Sequence, residues 1–325
     1  MASEKFVKGK RVLVTGGLGF LGSNLVHRLH GLGAEVTVFD LQQKIDSSLD
    51  NLKPVEGKVE IVAGDIRDEE KIRQAVEGKD FIFNFAANIG HVKSFDDPLL
   101  NLEVNCASHL KLLEALRKSS SDATVYFPGS RMQFGLPASK KVGEKHIQNP
   151  LSIEAIHKMA AEKYYLLYYR NHGIKSVVFR LSNPFGPRAP MKEGTHCILN
   201  WFLGKALNDE EITVFGSGKQ LRDYIFVDDV MDAFVIAMTE DKALGQDFNL
   251  GSGKGISVVD AVEKIVSIAG KGRIKKVPWP KDWQSIETGS YVSDISKIKN
   301  VLGWKPRHSF EEGIRKTIEF YSQRQ

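Results

Sequence analysis

The run "VLVTGGLGFLGSNL", residues 12–25, restricts the possible folds of this chain more than any other stretch. A β-branched apolar run ends in glycines, and apolar residues then recur at helical spacing as far as Gly33. Gly17, Gly19 and Gly22 carry the spacing of a dinucleotide fingerprint; Gly16, Gly19 and Gly22 carry its three-residue-spaced variant. The physical requirement is specific: a tight turn leaves the strand, the backbone meets a pyrophosphate with no Cβ in the way, and a helix N-terminus faces the anion. Gly16, Gly19, Phe20, Leu21 and Gly22 are therefore expected to border a bound dinucleotide. The next strand, "EVTVFD", ends in Asp40. A carboxylate there accepts hydrogen bonds from ribose hydroxyls and repels a 2′-phosphate, and no arginine immediately follows, so the expected cofactor is NAD rather than NADP.

Further along, "VEIVAGD", "FIFNFAA", "TVYFPGS" and "KSVVFRLSN" read as buried strands separated by helical patterns. "LLNLEVNCASHLKLLEALRK" reads as one long amphipathic helix, and a second starts near residue 152 and runs to about Arg170. This alternation predicts a Rossmann-type α/β fold, a doubly wound parallel sheet with helices on both faces. Residues 184–223 are loop-rich, "DYIFVDDVMDAFVIAM" reads as a short extended piece followed by a helix, and "DFNLGSG" reads as the last strand. The expected division is a cofactor domain of residues 1–183 plus 224–250, with a smaller, discontinuous α/β substrate domain of 184–223 plus 251–325 over the sheet's carboxyl edge.

Composition narrows the function classes. The net charge of +5 comes from 45 basic and 40 acidic residues scattered along 325, with no basic run, so nucleic acid is not an expected partner. Cys106 and Cys197 are far apart and lack metal-ligand spacing, so neither a metal site nor a disulfide is expected. The polar start and the lack of a spanning apolar run predict a cytoplasmic protein that does not meet a membrane.

Several further motifs stand in a characteristic order. "TGGLGFLG", "GDIRD", "FNFAANIG", "RLSNPFGPR", "ITVFGSGKQLRDYIFVDDV" and "DISKIKNVLGWKPRHSFEEGIRKTIEFY" together resemble the extended short-chain dehydrogenase/reductase family, in its nucleotide-sugar epimerase and dehydratase branch. The resemblance covers nearly the whole chain. It implies that Asp65 and Ile66 lie near the adenine, Ala86 and Ala87 near the nicotinamide-side ribose, and Asn105 on the helix beside them. It also implies substrate contacts from Asn183, from Val214 and Phe215 to the base, and from Arg222 to the diphosphate, with a nucleotide sugar, UDP-linked by preference, as the ligand. The helices of residues 99–118 and 151–170 resemble a pair that builds a four-helix homodimer interface.

The family's chemistry uses Ser or Thr, Tyr and Lys. Here Ser130 falls at the hydroxyl position and Lys158, which also holds the cofactor ribose, at the lysine position; the tyrosine position holds Glu154. A carboxyl of reference pKa about 4.3, against about 10 for a phenol, can accept a proton at neutral pH but hardly donate one. Three readings stay open: Glu154 pairs with Lys158 at i, i+4 on the helix, it serves as a carboxylate base, or it disables the site. Tyr164 and Tyr165 lie about 9–10 Å further along the helix and cannot stand in, and His157 is turned away from Lys158. His91 and Lys93, in the loop after a strand, and His196 and Cys197, beyond "NPFGPR", could face a substrate and offer a proton; His91 and Cys197 are the substrate contacts expected among them, although a plain surface role is the simpler reading of each. Arg131 and Met132 follow Ser130 where the dehydratases carry Asp-Glu, which argues against 4,6-dehydration and leaves Arg131 as a substrate contact. "SIETGSY" has Glu287 near a position where related epimerases often place an arginine. The expected function is NAD-dependent epimerisation of a nucleotide sugar by an atypical Ser130, Glu154 and Lys158 set. The alternative is an NAD-binding homologue without turnover, acting as a sensor or partner subunit.

Overall fold

The computed structural model describes residues 2–119, 121–192, 194 and 197–323. Strands β1 (Arg11–Thr15), β2 (Glu35–Asp40), β3 (Glu60–Ala63), β4 (Phe81–Asn84), β5 (Thr124–Ser130), β6 (Ser176–Leu181) and β7 (Gln246–Leu250) form one seven-stranded sheet. Its order is 7-6-5-4-1-2-3, and every neighbouring pair is parallel. Alternate residues feed two apolar layers, as the strand period of two requires. Val12, Val14, Val36, Val38, Phe83, Tyr126 and Phe179 face one layer, with helices α1 (Phe20–Gly31) and α5 (Val227–Met238). Leu13, Phe39, Ile82, Val125, Phe127 and Val178 face the other, with α2 (Glu69–Val76), α3 (Ser108–Lys118) and α4 (Ile153–His172). Pro128 is tolerated in the interior strand β5 because β4 pairs only with Thr124 to Tyr126, leaving no β4 carbonyl opposite the missing N–H.

Four small pairings lie outside the main sheet. Asn183–Phe185 runs parallel to Tyr224–Phe226, Glu211–Phe215 parallel to Arg273–Val277, and Lys141–Val142 parallel to Val292–Ser293. Leu221–Arg222 is antiparallel to Ile256–Ser257. The helix expected over 99–118 is not continuous. Pro98–Leu102 is α-helical, Glu103–Ala107 forms a π-helical turn, and α3 begins only at Ser108. Such a turn adds a residue locally and re-aims one side chain, here Asn105. No helix among the described residues is long and apolar enough to cross a membrane.

One buried charge cluster ties α4 to the sheet. Arg180 on β6 is 2% exposed and grips fully buried Glu162 of α4 through Nε (2.9 Å) and Nη2 (2.7 Å). Asp247 of β7 lies 2.5 Å from the same Nη2, and Gln133 donates to Glu162 at 2.8 Å. Removing one member of a buried pair leaves the other charge uncompensated. Arg180→Met is therefore expected to lose about 3–5 kcal/mol of unfolding free energy. Urea denaturation checks this, and a loss below about 1 kcal/mol would contradict a stabilising role for the pair.

Candidate active site

Gly16 has φ +65°, and a Cβ on it would sit 2.8 Å from both Phe85 C and Ala86 N. A Cβ on Gly22 would lie 2.2 Å from Gly16 O and 2.8 Å from Gly17 Cα. The turn is thus closed against β4 on one side and against the first turn of α1 on the other, with Phe20 and Leu21 half-buried between them. Gly19 caps α1 without any side-chain hydrogen bond. The N–H groups of that first turn are open to an anion, which fits a pyrophosphate. Asp40 stands at the end of β2 and accepts from Leu18 N (3.0 Å) and Leu41 N (2.9 Å). Burial raises its pKa and these two N–H groups oppose the rise. Each oxygen keeps a lone pair for a ribose hydroxyl.

Asp65 pairs with Arg67 at 2.7 Å, which holds its carboxyl below the usual range, and Ile66 is buried. Asp65, Arg67, Glu103 and Lys111 line a cavity of about 380 Å³ on this side of the loop. Ala86 and Ala87 follow β4 and are half-buried; Ala86 N donates to Thr15 Oγ1 at 3.2 Å. Asn105, on the π-helical turn, accepts from Asn88 N (3.0 Å) and donates to Asn88 O (2.6 Å), so it clamps the loop leaving β4.

That loop decides how Glu154 is used. Ser152 caps α4 through Ala155 N, placing Glu154 in the first helical turn, where a carboxylate suits the helix dipole. Glu154 is 4% exposed. Its Oε2 accepts from Gly90 N at 2.9 Å and lies 3.4 Å from His91 Nδ1. Ser152 Oγ is 3.0 Å from the same Nδ1, and Glu154 N donates to Ser94 Oγ at 3.3 Å. No ion pair joins Glu154 to Lys158 among the described residues, so the helical i, i+4 pairing is not what this carboxylate does. Burial lowers the Lys158 pKa, and the charge of Glu154 only partly offsets that. The Lys158 ammonium makes no hydrogen bond among the described residues and lies 5.7 Å above the Phe127 ring.

His91 is half-buried in the loop after β4. The negative Oε2 of Glu154 beside Nδ1 favours the tautomer with Nδ1–H, which then donates to Ser152 Oγ and leaves Nε2 as the basic atom. Nε2 has no protein partner among the described residues and, unlike Nε2 of His109, is not enclosed. Burial depresses the His91 pKa, against the pull of Glu154. Ser130 ends β5 half-buried, its Oγ accepting from Met132 N at 3.1 Å. Lys93 is exposed, whereas Cys197 is buried and its thiol is pushed up to about 12, so it is no ready base. His196 lies outside the described residues. His157 bonds Asn101 at 2.8 Å, and Tyr165 is buried against Asn84 and His109 at 3.0 Å each, so both are structural.

On the substrate side, Asn183 donates through Nδ2 to Asp223 O at 3.1 Å. The Val214 side chain is fully buried in the core, which leaves Phe215, packed 5.3 Å from Trp279, as the half-buried side chain of that pair. Arg222 Nη2 holds both oxygens of Glu287 at 2.6 and 2.7 Å, and Nη1 donates to Gly289 O at 2.7 Å. The sequence places these partners 65 residues apart, and only their odd appearance at motif positions hinted at the pairing. Arg131 is 6% exposed and donates to Thr288 Oγ1 at 2.7 Å.

The parallel sheet, the glycine turn and the polar groups at the strand ends define a dinucleotide-binding Rossmann protein. Comparison with known proteins narrows the class. The model of the GDP-mannose 4,6 dehydratase family matches residues 13–317. UDP-glucose 4-epimerase of Mycolicibacterium smegmatis is 32% identical over 317 residues, covering 96% of this chain and 98% of that protein. UDP-glucose 4-epimerase of Thermus thermophilus, solved with NAD, superposes with a TM-score of 0.85 at 29% identity, over 96% of this chain and 99% of that one. The Thermotoga maritima enzyme, solved with UDP-glucose, gives 0.86 at 29% identity, over 97% and 99%. The chain belongs to this family of extended short-chain dehydrogenase/reductases, the nucleotide-sugar epimerases and dehydratases.

The cradle generates a direct prediction. Gly22→Ala puts a methyl into Gly16 O, and the turn must open. NAD affinity measured by calorimetry should fall at least about tenfold with the circular dichroism spectrum retained; unchanged affinity would show that the turn does not hold the pyrophosphate.

Proposed function

We propose that this protein is an NAD-dependent enzyme that epimerises a nucleotide sugar, with His91 held by Glu154 replacing the family's tyrosine. The observation that supports this most is the hydrogen-bonded array of Gly90, His91, Ser152 and Glu154 near an unpaired Lys158. A substitution that merely disabled the site would not be expected to orient an imidazole with its basic nitrogen open. Gly16, Gly19 and Gly22 would hold the NAD pyrophosphate, Asp40 and Lys158 the two riboses, and Asp65 and Ile66 the adenine side. Bound NAD supplies reversible oxidation of a sugar carbinol. His91 Nε2 takes the carbinol proton and later returns it, Glu154 fixes the tautomer, Lys158 lends positive charge, and Ser130 offers its hydroxyl to the same oxygen. With Arg131 and Met132 in place of Asp-Glu, the usual route to eliminating water lacks its acid and base, which favours epimerisation. The UDP-glucose epimerases among its relatives support a UDP-sugar as ligand, held by Asn183, Phe215 and Arg222 in the unit formed by residues 184–223 and 251–325.

One observation favours the reading without turnover. Glu287 occupies the fork of Arg222, so that residue has less charge to give a diphosphate. Binding separates the two: the enzyme must bind both NAD and a UDP-sugar, whereas a sensor needs only NAD.

We further propose a homodimer through the helices of residues 98–118 and 153–172, supported by the exposed side chains Leu99 (72%), Leu102 (40%) and Ile156 (46%). Light scattering at micromolar concentration should give twice the chain mass, and a monomer would remove the claim.

The acid/base assignment predicts a pH effect of defined sign. His91→Ala should lower kcat about 10²–10⁴-fold with NAD binding kept. Glu154→Gln removes the charge that raises the His91 pKa, so that pKa falls further. The acid limb of kcat/KM should therefore move to lower pH as kcat drops. A limb that stays in place or moves up would contradict the assignment.

A further inference from the structure

Among the described residues, four arginines hold a carboxylate along one edge of the guanidinium, the edge formed by Nε and Nη2. Arg67 holds Asp65 this way, Arg73 holds Glu70, Arg117 holds Glu114 and Arg180 holds Glu162. Of these only Arg180 is buried; Arg131 is buried too, at 6% exposure, yet its same edge is unpaired. Its Nη1 donates to Thr288 Oγ1, and its guanidinium carbon lies 5.2 Å from the centre of the Tyr291 ring. Its Nε is enclosed with no hydrogen-bond partner. Its Nη2 has no partner among the described residues and is not enclosed, so the vacant edge opens at one end.

A buried cation without a counter-ion is costly unless a ligand completes it. The protein offers no carboxylate within ion-pair distance of Arg131 among the described residues: nearby Glu287 has both oxygens on Arg222. Two more enclosed polar atoms without partners sit in the same quarter. One is the Tyr224 hydroxyl, on the strand that pairs with Asn183. The other is Ser182 Oγ, one residue beyond the register pair Ser130–Leu181. Arg131 follows Ser130 directly in the chain, and its charge acts on both His91 and Arg222. Arg131 thus stands within electrostatic reach of both the acid/base pair and the arginine assigned to the diphosphate.

We infer that the sugar of the substrate carries a carboxylate, and that this group binds the open Nη2 end of the Arg131 guanidinium. The inference rests on the nucleotide-sugar reading above and specifies its substrate class as a nucleotide-linked uronic acid or similar acidic sugar. A carboxylate oxygen suits that N–H, as it does Nη2 of Arg67, Arg73, Arg117 and Arg180.

Calorimetry on the NAD-loaded protein with UDP, UDP-glucose and UDP-glucuronate tests this. The wild-type protein should bind UDP-glucuronate at least tenfold more tightly than UDP-glucose. Arg131→Met should abolish that preference, while Arg131→Lys, a point charge, should keep part of it. Equal wild-type affinity for the two sugars overturns the carboxylate assignment and leaves the nucleotide-sugar reading standing. An Arg131→Met variant that weakens UDP, UDP-glucose and UDP-glucuronate alike assigns Arg131 to the diphosphate and also overturns it. Failure of the wild-type protein to bind any of the three overturns both. The wild-type comparison stands even if Arg131→Met does not fold.

Discussion

Seven parallel strands end on one side of this molecule, and the account of the site depends on that constraint. Parallel pairing forces each connection to cross back over a face of the sheet, so the segments leaving β1, β4, β5 and β6 emerge at a common edge. The glycine turn, the loop carrying His91, Ser130 with Arg131, and Ser182 with Asn183 are brought together for this reason alone. The strand order reverses beside β1, between β4 and β2, and the crevice opened there is where the glycines clear space for a phosphate.

Within that edge, one carboxylate takes on a new use in the proposed function. A phenol at the tyrosine position would reach the sugar itself, whereas the Glu154 side chain is shorter and turns into the loop after β4. There it accepts the Gly90 N–H and faces His91. The imidazole projects from a loop held at both ends, by Asn105 on Asn88 and by Ser94 on the start of α4. Precision in a loop-borne proton acceptor requires such clamping. Lys158 is itself buried, and that burial lowers its pKa against the charge of Glu154.

Local signals made much of this legible in the sequence. The glycine spacing, Asp40 at a strand end and the apolar runs gave the sheet, its connections and the cofactor turn, because each depends on residues close in the chain. β7 at 246–250 and the helix following "DYIF" were equally readable. What escaped were pairings between distant segments. Glu154 was weighed against its helical neighbour Lys158, but its partners come from residues 90 and 91. Arg222 was assigned to a diphosphate, while Glu287 holds its fork. Val214 matched a motif, but strand alternation turns its side chain into the core. The π-helical turn at Glu103–Ala107 left no mark on the apolar pattern, because one extra residue shifts the helical phase too little to read.

The central claim is that His91, positioned by Glu154, works with NAD to oxidise and re-reduce a carbinol whose hydrogen never meets solvent. The most direct measurement follows the sugar protons by NMR while the protein, NAD and a nucleotide sugar turn over in deuterated water. The account predicts an inverted sugar carrying no deuterium at carbon. Deuterium at a ring carbon would contradict it, since that label requires a C–H bond broken by a base in contact with water.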